Sequence, residues 1–500
     1  MRNSWQKFAA STMAAAALLL GGCSASEEQL EAVAPPETEV EAGDIGQMFQ
    51  RISAQQLDAA AQKGVNWAIA DAVTWSKDAN NNCMGCHRQP VPLVGGAISA
   101  YTGYQVNTSA LNGTTYLAQF LAGQQQANGG WSHGGSYPYS SSGFGIFGIA
   151  GYTQYQSTAY LTNLHRGITW GIGNTTAYTF TNPMDGKALQ GITSVYVPAD
   201  LDPAAPSHDI GNHFTAMTGQ FAIATRAALD VDQGLTAITR QNYQVFLRQL
   251  ADSLVGQFAR SNGAWKTEAI SYAALGALSD NRTPANNATV AAMRDELLSR
   301  AAAGGGWGQT AAATPNVYST GMALYSLCRM EVRSDTNTAV SNGLTWLANQ
   351  QCSAGNNYCG TADASKDGSW NWPGHTNDVP TGFAVLAMGC YGSLNAQVTL
   401  NPISVTLAAG LASTQTTSFN VKVKNTGYVR NTYELVPTGN YTLPSGSMVI
   451  SHNNPSMTLD PGAEATDVVT VTLPANMPPS RIIDVSVLVS YDTRSGPATK

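Results

Sequence analysis

Charged side chains are scarce in this chain. Asp, Glu, Lys and Arg make up 11% of its 500 residues, under half of the roughly 25% found in ordinary globular proteins. The 25 basic residues are outnumbered by 32 acidic ones, which gives a net charge of −7. That balance is a poor match for a polyanion, so nucleic acid is not an expected partner. Hydrophobic residues still account for 43%, which excludes a chain that is disordered throughout.

Long apolar runs are missing too, except near the start. The run at residues 13–20 follows Arg2 and Lys7. It is too short to remain as a membrane span, and its composition is typical of the core of a secretion signal. We therefore expect everything beyond it to fold outside the cytoplasm.

The end of this run, Leu20-Gly21-Gly22-Cys23, resembles the lipobox of bacterial lipoproteins. The resemblance implies a signal peptide at 1–22 and lipid chains on Cys23 that hold the protein on a membrane. A simple export signal cut elsewhere is the alternative. Ser24 follows the cysteine, which in lipoproteins implies the outer membrane of the cell envelope, facing the periplasm or the surface.

The chain after Cys23 divides into three parts by composition. Residues 23–53 are rich in glutamate and contain Pro35-Pro36, which predicts a solvated tether. Residues 54–394 carry helical periodicity, and residues 395–500 carry alternating strand-like patterns.

A repeat organises residues 54–394. Each unit has an amphipathic helix, a glycine-rich turn closed by tryptophan, and a helix of small apolar residues. The turns are at 126–131, 262–265, 304–307 and 367–370. Predicted helices that precede turns cover 62–76, 115–125, 243–260, 290–300 and 342–351, and predicted inner helices cover 91–101, 158–169, 213–228, 270–278, 318–328 and 381–390. About six helix pairs result.

Hairpins of this kind bury their apolar faces only by stacking on neighbours. The turn Gln126-Ala127-Asn128-Gly129-Gly130-Trp131 resembles the QW-type repeat of the squalene-hopene cyclase and prenyltransferase-like superfamily. That resemblance implies an (α/α)6 toroid over 54–394. We expect the tryptophans to be packing residues.

The tail has no cysteine or tryptophan after Tyr391. Period-two runs at 403–407, 419–423, 468–472 and 483–487 are separated by turn signals. The pattern predicts an immunoglobulin-like β-sandwich over 395–500.

The strongest chemical motif lies in the first repeat. Residues 82–87 read Asn-Cys-Met-Gly-Cys-His, which contains the C-x-x-C-H pattern of c-type haem attachment. Cys83 and Cys86 would form the two thioethers of covalent haem c, and His87 would be an axial ligand of the iron. A Cys83–Cys86 disulfide beside an uninvolved His87, or a bound metal, are the alternatives. Haem attachment outside the cytoplasm agrees with the export signal.

A second axial ligand would come from another His or Met. His133, His213 and Met217 are the candidates, along with His208 and His375. A six-coordinate iron favours electron transfer with a partner protein, whereas an open position permits peroxide or oxygen chemistry.

Two further groups of residues suggest sites. Asp363, Ser365 and Asp367 match the first half of a calcium loop, although Gly374 stands where the final glutamate is expected; a polar turn is the alternative. Cys352 and Cys359 are close enough for a disulfide, while Cys328 and Cys390 are either a pair or free buried thiols.

The sequence favours a lipid-anchored haem protein with a redox role. The alternative is a haem-free surface lipoprotein that binds or degrades a polysaccharide or polyisoprenoid, as a lyase or hydrolase. Aromatic and neutral polar residues at 133–139 and 370–375 suit such a polymer. No pair of catalytic carboxylates stands out. The stretch Asp230-Val231-Asp232-Gln233 is similar to the acid motif of squalene-hopene cyclases, but a charged loop accounts for it better.

Overall fold

The computed structural model describes most of the chain beyond the tether. The described residues are 54–78, 84, 87–132, 138–181, 188–192, 210–261, 265–332, 334, 336–353, 364–372, 376–391, 396–401, 413–425, 431–439, 442–443, 446–459, 463–475, 485–491 and 498–499. The signal, Cys23 and the tether lie outside them. Within the described ranges, no helix combines the length and the apolar character that a membrane crossing needs.

The first part of the described chain is mainly helical. Its α-helices are α1 Ala54–Lys77, α2 Pro90–Tyr101, α3 Thr114–Gly123, α4 Pro138–Tyr155, α5 Leu161–Gly173, α6 Ile210–Val231, α7 Ala237–Ser261, α8 Thr267–Ser279, α9 Ala288–Ser299, α10 Val317–Arg329, α11 Thr338–Asn349 and α12 Asp378–Tyr391. A hairpin of β1 Thr175–Thr181 and β2 Ala188–Ile192 follows α5. The sequence pattern did not predict this hairpin.

The even-numbered helices contact one another in a closed cycle. Each packs on the next, from α2 through α12, and α12 packs on α2. They run in one direction: along the α2–α12 pair, Gly382 lies against Val91 and Gly389 lies against Ser99. Apolar side chains from these helices meet in a shared cluster that includes Phe147 and Leu386.

Three tryptophan turns share one set of contacts. In each, the tryptophan is fully buried, and its backbone N–H donates 2.8 Å to a hydroxyl on the helix that follows. Its indole N–H donates to a leucine carbonyl of the preceding helix. Trp131 donates in this way to the Ser142 hydroxyl and the Leu121 carbonyl, Trp307 to those of Thr320 and Leu297, and Trp370 to those of Thr381 and Leu347. The tryptophans therefore join consecutive helices, as the repeat predicted.

The same turns dock on the next odd-numbered helix. Each turn contains a glycine with positive φ that lies against a backbone carbonyl of that helix, and a Cβ on this glycine would be within 2.9 Å of the carbonyl oxygen. The helix residue that follows this carbonyl is itself a glycine, and it faces the ring of the tryptophan in the turn. The glycine pairs are Gly129 with Gly167 on α5, Gly305 with Gly343 on α11, and Gly368 with Gly64 on α1. The last turn therefore docks on the first helix.

The fourth tryptophan turn differs. Residues 262–264 lie outside the described part, and Trp265 is buried with its carbonyl accepting a hydrogen bond from Arg300 Nη1 at 2.7 Å. Its indole nitrogen has no hydrogen-bond partner within the described residues. Trp265 therefore packs like the others without the paired contacts.

Cys328 and Cys390 form a disulfide between the last turns of α10 and α12, with their Cα atoms 6.3 Å apart. The choice between a pair and free thiols is settled in favour of the pair. Cys352 is also disulfide-bonded, and Cys359 lies outside the described residues.

The C-terminal part is a β-sheet region. Its strands are β3 Ala396–Asn401, β4 Gln415–Asn425, β5 Asn431–Gly439, β6 Thr442–Leu443, β7 Gly446–Ser447, β8 Val449–His452, β9 Ser456–Leu459, β10 Glu464–Leu473, β11 Val485–Tyr491 and β12 Ala498–Thr499. One sheet has the order β3-β4-β10-β8 and another β12-β11-β5-β9. Val421 and Val469 of the first sheet share an apolar cluster with Tyr433 and Met457 of the second. The predicted strand at 403–407 lies outside the described residues.

Two helix predictions need correction. The sequence pattern missed α4, which packs between α2 and α6. It also took 158–169 as an inner helix, but α5 there is odd-numbered and receives the glycine turn of Trp131. The inner position belongs to α4.

Candidate functional site

The haem motif lies directly before α2. Cys83 and Cys86 fall outside the described residues, while Met84 between them is fully buried. His87 begins the turn that enters α2, and its carbonyl accepts a hydrogen bond from the Val91 N–H at 3.3 Å. Pro90 and Pro92 favour a helix start here because their missing N–H groups fall in the first turn. His87 therefore lies at the N-terminal end of the even-numbered helices.

The imidazole of His87 lies between a carboxylate and an aromatic ring. Its Nε2 is 3.7 Å from Oδ2 of Asp378, the first residue of α12. The Phe144 ring of α4 meets the imidazole edge-on, with ring centroids 6.5 Å apart. The His87 side chain is 37% exposed, whereas that of Asp378 is 3% exposed. Solvent therefore reaches His87 but not its carboxylate neighbour.

Arg88 balances the buried charge of Asp378. Its Nε is 2.8 Å from Asp378 Oδ2, and its Nη2 donates to Oδ1 at 2.9 Å. The guanidinium also lies over the Trp75 ring, 5.4 Å from its centroid. Two parallel contacts of this kind are the strong geometry for an arginine and a carboxylate. The position of Asp378 in the first turn of α12 adds a favourable interaction with the helix dipole.

A second acid lies close to this pair. Burial, and then the negative charge of Asp378, raise the pKa of Asp71 to about 6, and the positive charge of Arg88 opposes the shift. Oδ2 of Asp71 is buried without a hydrogen-bond partner within the described residues. Two acids therefore share one arginine near His87.

Aromatic side chains extend from this end of the helices. The Tyr318 ring, at the start of α10, lies 5.6 Å from Trp372 and 4.4 Å from Phe383 between ring centroids. Tyr318, Trp372 and Phe144 are half-buried. They offer flat apolar surface to a ligand at the helix N-termini.

The residues around His87 fit a haem in this position. The exposed imidazole can be approached from solvent, and Phe144 provides an apolar neighbour for a porphyrin. Iron binding through Nε2 requires the imidazole to turn away from Asp378, because that nitrogen now faces the carboxylate.

The other ligand candidates are spread apart. His133, His208 and His375 lie outside the described residues, and the side chain of His213 on α6 is likewise not described. Met217 on α6 is 2% exposed and lies against Gly143 of α4. Met217 would have to leave this packing to bind iron.

The calcium candidates fall near α1. Asp363 lies outside the described residues. The Ser365 carbonyl accepts a hydrogen bond from the Trp67 indole at 2.8 Å, and the Asp367 carboxylate is 3.4 Å from Lys63 Nζ. Within the described part of the chain, no three His, Cys, Asp or Glu side chains form a metal-binding group.

The acidic stretch at the end of α6 makes structural contacts. Asp230 pairs with Arg226 one turn earlier. Asp232 lies 2.9 Å from Nε2 of His165, whose Nδ1 is 2.9 Å from the Tyr243 hydroxyl. Burial raises the pKa of Tyr243 to about 12. These contacts tie α5, α6 and α7 together, which agrees with a charged loop rather than a cyclase acid.

Sequence reasoning missed Asp71, Arg88 and Asp378. Arg88 follows the motif directly, so its adjacency was a usable signal. Asp378 lies in the first turn of its helix, where acids are favoured, but nothing in the sequence connects it to a residue 290 positions earlier.

Comparisons with known proteins found only solved structures of low similarity. No family model matches the chain, and no curated protein matches it. Similar solved structures include native alpha-2-macroglobulin from Escherichia coli, from domain MG7 to the C-terminus, at TM-score 0.35 and 10% identity over 86% of this chain and 74% of that one. Salmonella alpha-2-macroglobulin reacted with methylamine has TM-score 0.34 and 12% identity over 86% of this chain.

A point mutant of the Salmonella protein has TM-score 0.33 and 10% identity over 87% of this chain. The chain spans 30% of the length of each Salmonella structure. Likenesses this low establish neither a shared fold nor a function.

Proposed function

We propose that this protein is an exported, lipid-anchored c-type haem protein with a redox role. The observation that carries the proposal is the C-x-x-C-H motif with His87 solvent-accessible at the helix N-termini beside Phe144. Covalent attachment needs the motif to be reachable while the chain is still being matured.

The fold supports a toroid. The closed cycle of even-numbered helices and the docking of the Trp370 turn on Gly64 of α1 are what an (α/α)6 ring requires. Two four-stranded sheets that share an apolar cluster support an immunoglobulin-like sandwich for the C-terminal part. We propose both architectures.

Each residue near the motif has a role in this proposal. Cys83 and Cys86 would hold the haem, and His87 would bind its iron. The bidentate contact between Arg88 and Asp378 fixes the entry into α2, which positions the imidazole. When bound, the haem supplies one-electron redox chemistry. Phe144, which meets the imidazole edge-on, would offer an apolar surface to one side of the porphyrin.

The test is absorption spectroscopy of the full chain expressed with a haem-maturation system. We expect haem that stays with the protein after acid extraction, and its loss in Cys83→Ala/Cys86→Ala. Cys328→Ala/Cys390→Ala is the matched control, since it also replaces two cysteines, here a disulfide pair away from the motif, and should keep the haem. The spin state reports the second axial ligand. Colourless protein with both motif thiols titratable would contradict the proposal.

The anchor is tested separately. In the full chain, Cys23 should take up labelled fatty acid during expression in a bacterial host, and Cys23→Ser should abolish both labelling and membrane association. Labelled Cys23→Ser protein would contradict a lipid anchor on that sulfur.

The half-buried aromatic side chains support a second candidate. Tyr318, Trp372 and Phe144 suit a polysaccharide or polyisoprenoid as well as a porphyrin. In that case the protein is a haem-free surface lipoprotein that binds or degrades such a polymer. Retained colour after acid extraction decides against it, and glycan binding by colourless protein decides for it.

A further inference from the structure

A cavity of about 270 Å³ lies at the opposite end of the even-numbered helices from His87. It is lined by the last turns of four of them, α4, α6, α8 and α10, and by residues just beyond α8. This is just below the range of about 300–1,000 Å³ that is usual for pockets that hold drug-sized ligands, so the space suits a smaller organic molecule.

The lining combines an apolar side with charged groups. Ile223, Leu275 and Leu278 provide the apolar surface, and Tyr325 beside them is buried in the shared cluster of the even-numbered helices. Arg226, Asp230 and Arg329 provide the charge. With two arginines and one aspartate, the cavity carries one net positive charge.

The two arginines differ in their partners. Arg226 Nε donates to Asp230 Oδ2 at 3.0 Å, so that charge is already balanced. Arg329 makes no ion pair with a carboxylate within the described residues. Its Nη1 donates to the Tyr155 hydroxyl at 2.7 Å, and Arg329 as a residue is exposed. Tyr155 contributes most to raising the pKa of Arg329, and the negative charge of Asp230 also acts on it from a distance and helps to raise that pKa. The Tyr155 ring lies 5.4 Å from that of Tyr101, which helps to hold it.

This arrangement selects the charge of a ligand. A guanidinium presents a planar fork that matches the two oxygens of a carboxylate. Asp230 and the carbonyl ends of the surrounding helices oppose each negative charge that a ligand brings, and a second charge would find no further free guanidinium to balance it. A single negative charge is therefore the best match.

We propose that the cavity binds a small organic monocarboxylate with an aromatic or branched aliphatic body. The carboxylate pairs with Arg329 beside Tyr155, and the body packs on Ile223, Leu275 and Leu278. This site is separate from the proposed haem, so either can exist without the other.

The test uses 4-fluorobenzoate as the probe and follows its fluorine resonance as the full chain is added. We expect binding by the wild type, and about tenfold or greater weakening in Arg329→Gln because a charged hydrogen bond is lost. Asp230→Asn should tighten binding, since it removes a repulsive charge and frees Arg226. Arg248→Gln, an exposed arginine on α7 outside the cavity, is the matched control and should change nothing.

Two results would overturn the proposal. One is equal affinity for 4-fluorobenzoate and the neutral 4-fluorobenzamide, and the other is no detectable binding at about 10 mM, a concentration that reveals even weak sites. Unchanged binding by Arg329→Gln with a wild-type circular dichroism spectrum would have the same meaning. The haem content of the sample does not enter any of these readings.

Discussion

Gly64 of α1 faces the indole ring of Trp370 so closely that a Cβ at this position would lie 2.5 Å from Cζ3 of the ring. These residues are far apart in sequence, yet the contact repeats what Gly167 makes with Trp131 and Gly343 with Trp307. The contact joins the last repeat of the helical part to its first helix.

Gly64→Ala should therefore destabilise the helical part. The added methyl clashes with a buried ring, and overpacking of this kind costs about 1–3 kcal/mol. Gly123→Ala, at the end of α3 with no atom within 4 Å of the added carbon, is the control and should be neutral or stabilising by up to about 1 kcal/mol. Urea unfolding measures both. Equal midpoints for the two variants would show that the contact is looser than described.

Thr381→Val tests the hydrogen bond that fixes the Trp370 turn. The hydroxyl accepts from the Trp370 N–H at 2.8 Å in a buried setting, so its loss leaves that donor unsatisfied at a cost of about 1–3 kcal/mol. Thr74→Val is matched, because both hydroxyls donate to the carbonyl four residues earlier, but Thr74 is exposed. Thermal unfolding should separate the two variants. If Thr74→Val lowered the unfolding temperature as much as Thr381→Val, the effect would come from the lost hydrogen bond within the helix and not from the Trp370 turn.

The Cys328–Cys390 disulfide should stabilise the helical part. It closes a loop of 62 residues, for which the chain-entropy account gives about 4 kcal/mol. Cys328→Ala/Cys390→Ala should lower the unfolding midpoint by a corresponding amount. Adding reductant should then lower the midpoint of the wild type more than that of the variant. A wild type whose midpoint matches that of the variant without reductant would contradict a stabilising bond.

Asp71 should make stability depend on pH. Its folded pKa of about 6 lies above the ordinary aspartate value of 3.8, so the folded state holds the proton more tightly than the unfolded one. Below about pH 4 the carboxyl is protonated and its burial does not lower the free energy of unfolding. As the pH rises through 6, the buried carboxyl must ionise and the free energy of unfolding falls.

Asp71→Asn should consequently raise the free energy of unfolding by on the order of 1–2 kcal/mol at pH 7, after allowance for partial solvent contact. At pH 4 it should not change it. Chemical unfolding at the two pH values measures the difference. Asp295→Asn, which replaces an exposed acid on α9, is the control and should change the free energy of unfolding by the same amount at both pH values. An Asp71→Asn gain of equal size at pH 4 would rule out titration of this carboxyl.

The sequence predicted most helices because their apolar spacing and glycine-tryptophan turns are local signals. It missed α4, which contains four glycines and four serine or threonine residues among its 18 residues and so has little helical propensity of its own. Packing makes it a helix: Gly148 lies against Pro90, and Gly151 lies against Val94. Small residues allow this close approach, and only the neighbouring helices reveal the need for it.

The two ends of the even-numbered helices also differ in how far sequence could predict them. His87 belongs to a contiguous C-x-x-C-H motif, so the sequence alone suggests a role for it. The cavity residues run from Gln154 to Arg329 and share no motif. Their meeting depends on parallel helices whose last turns lie side by side, which is a property of the assembled fold.

The direction of the helices also decides where the chain enters and leaves the helical part. Gln62 on α1 donates to the Gln105 carbonyl just past the end of α2 at 2.7 Å, so α1 begins near the C-terminal end of the even-numbered set. α12 finishes at Tyr391 on that same side, where its hydroxyl donates to the Val332 carbonyl. Both the strand-rich tail and the stretch that precedes Ala54 are thus connected on the cavity side, which leaves His87 at the end of the helices away from the two junctions.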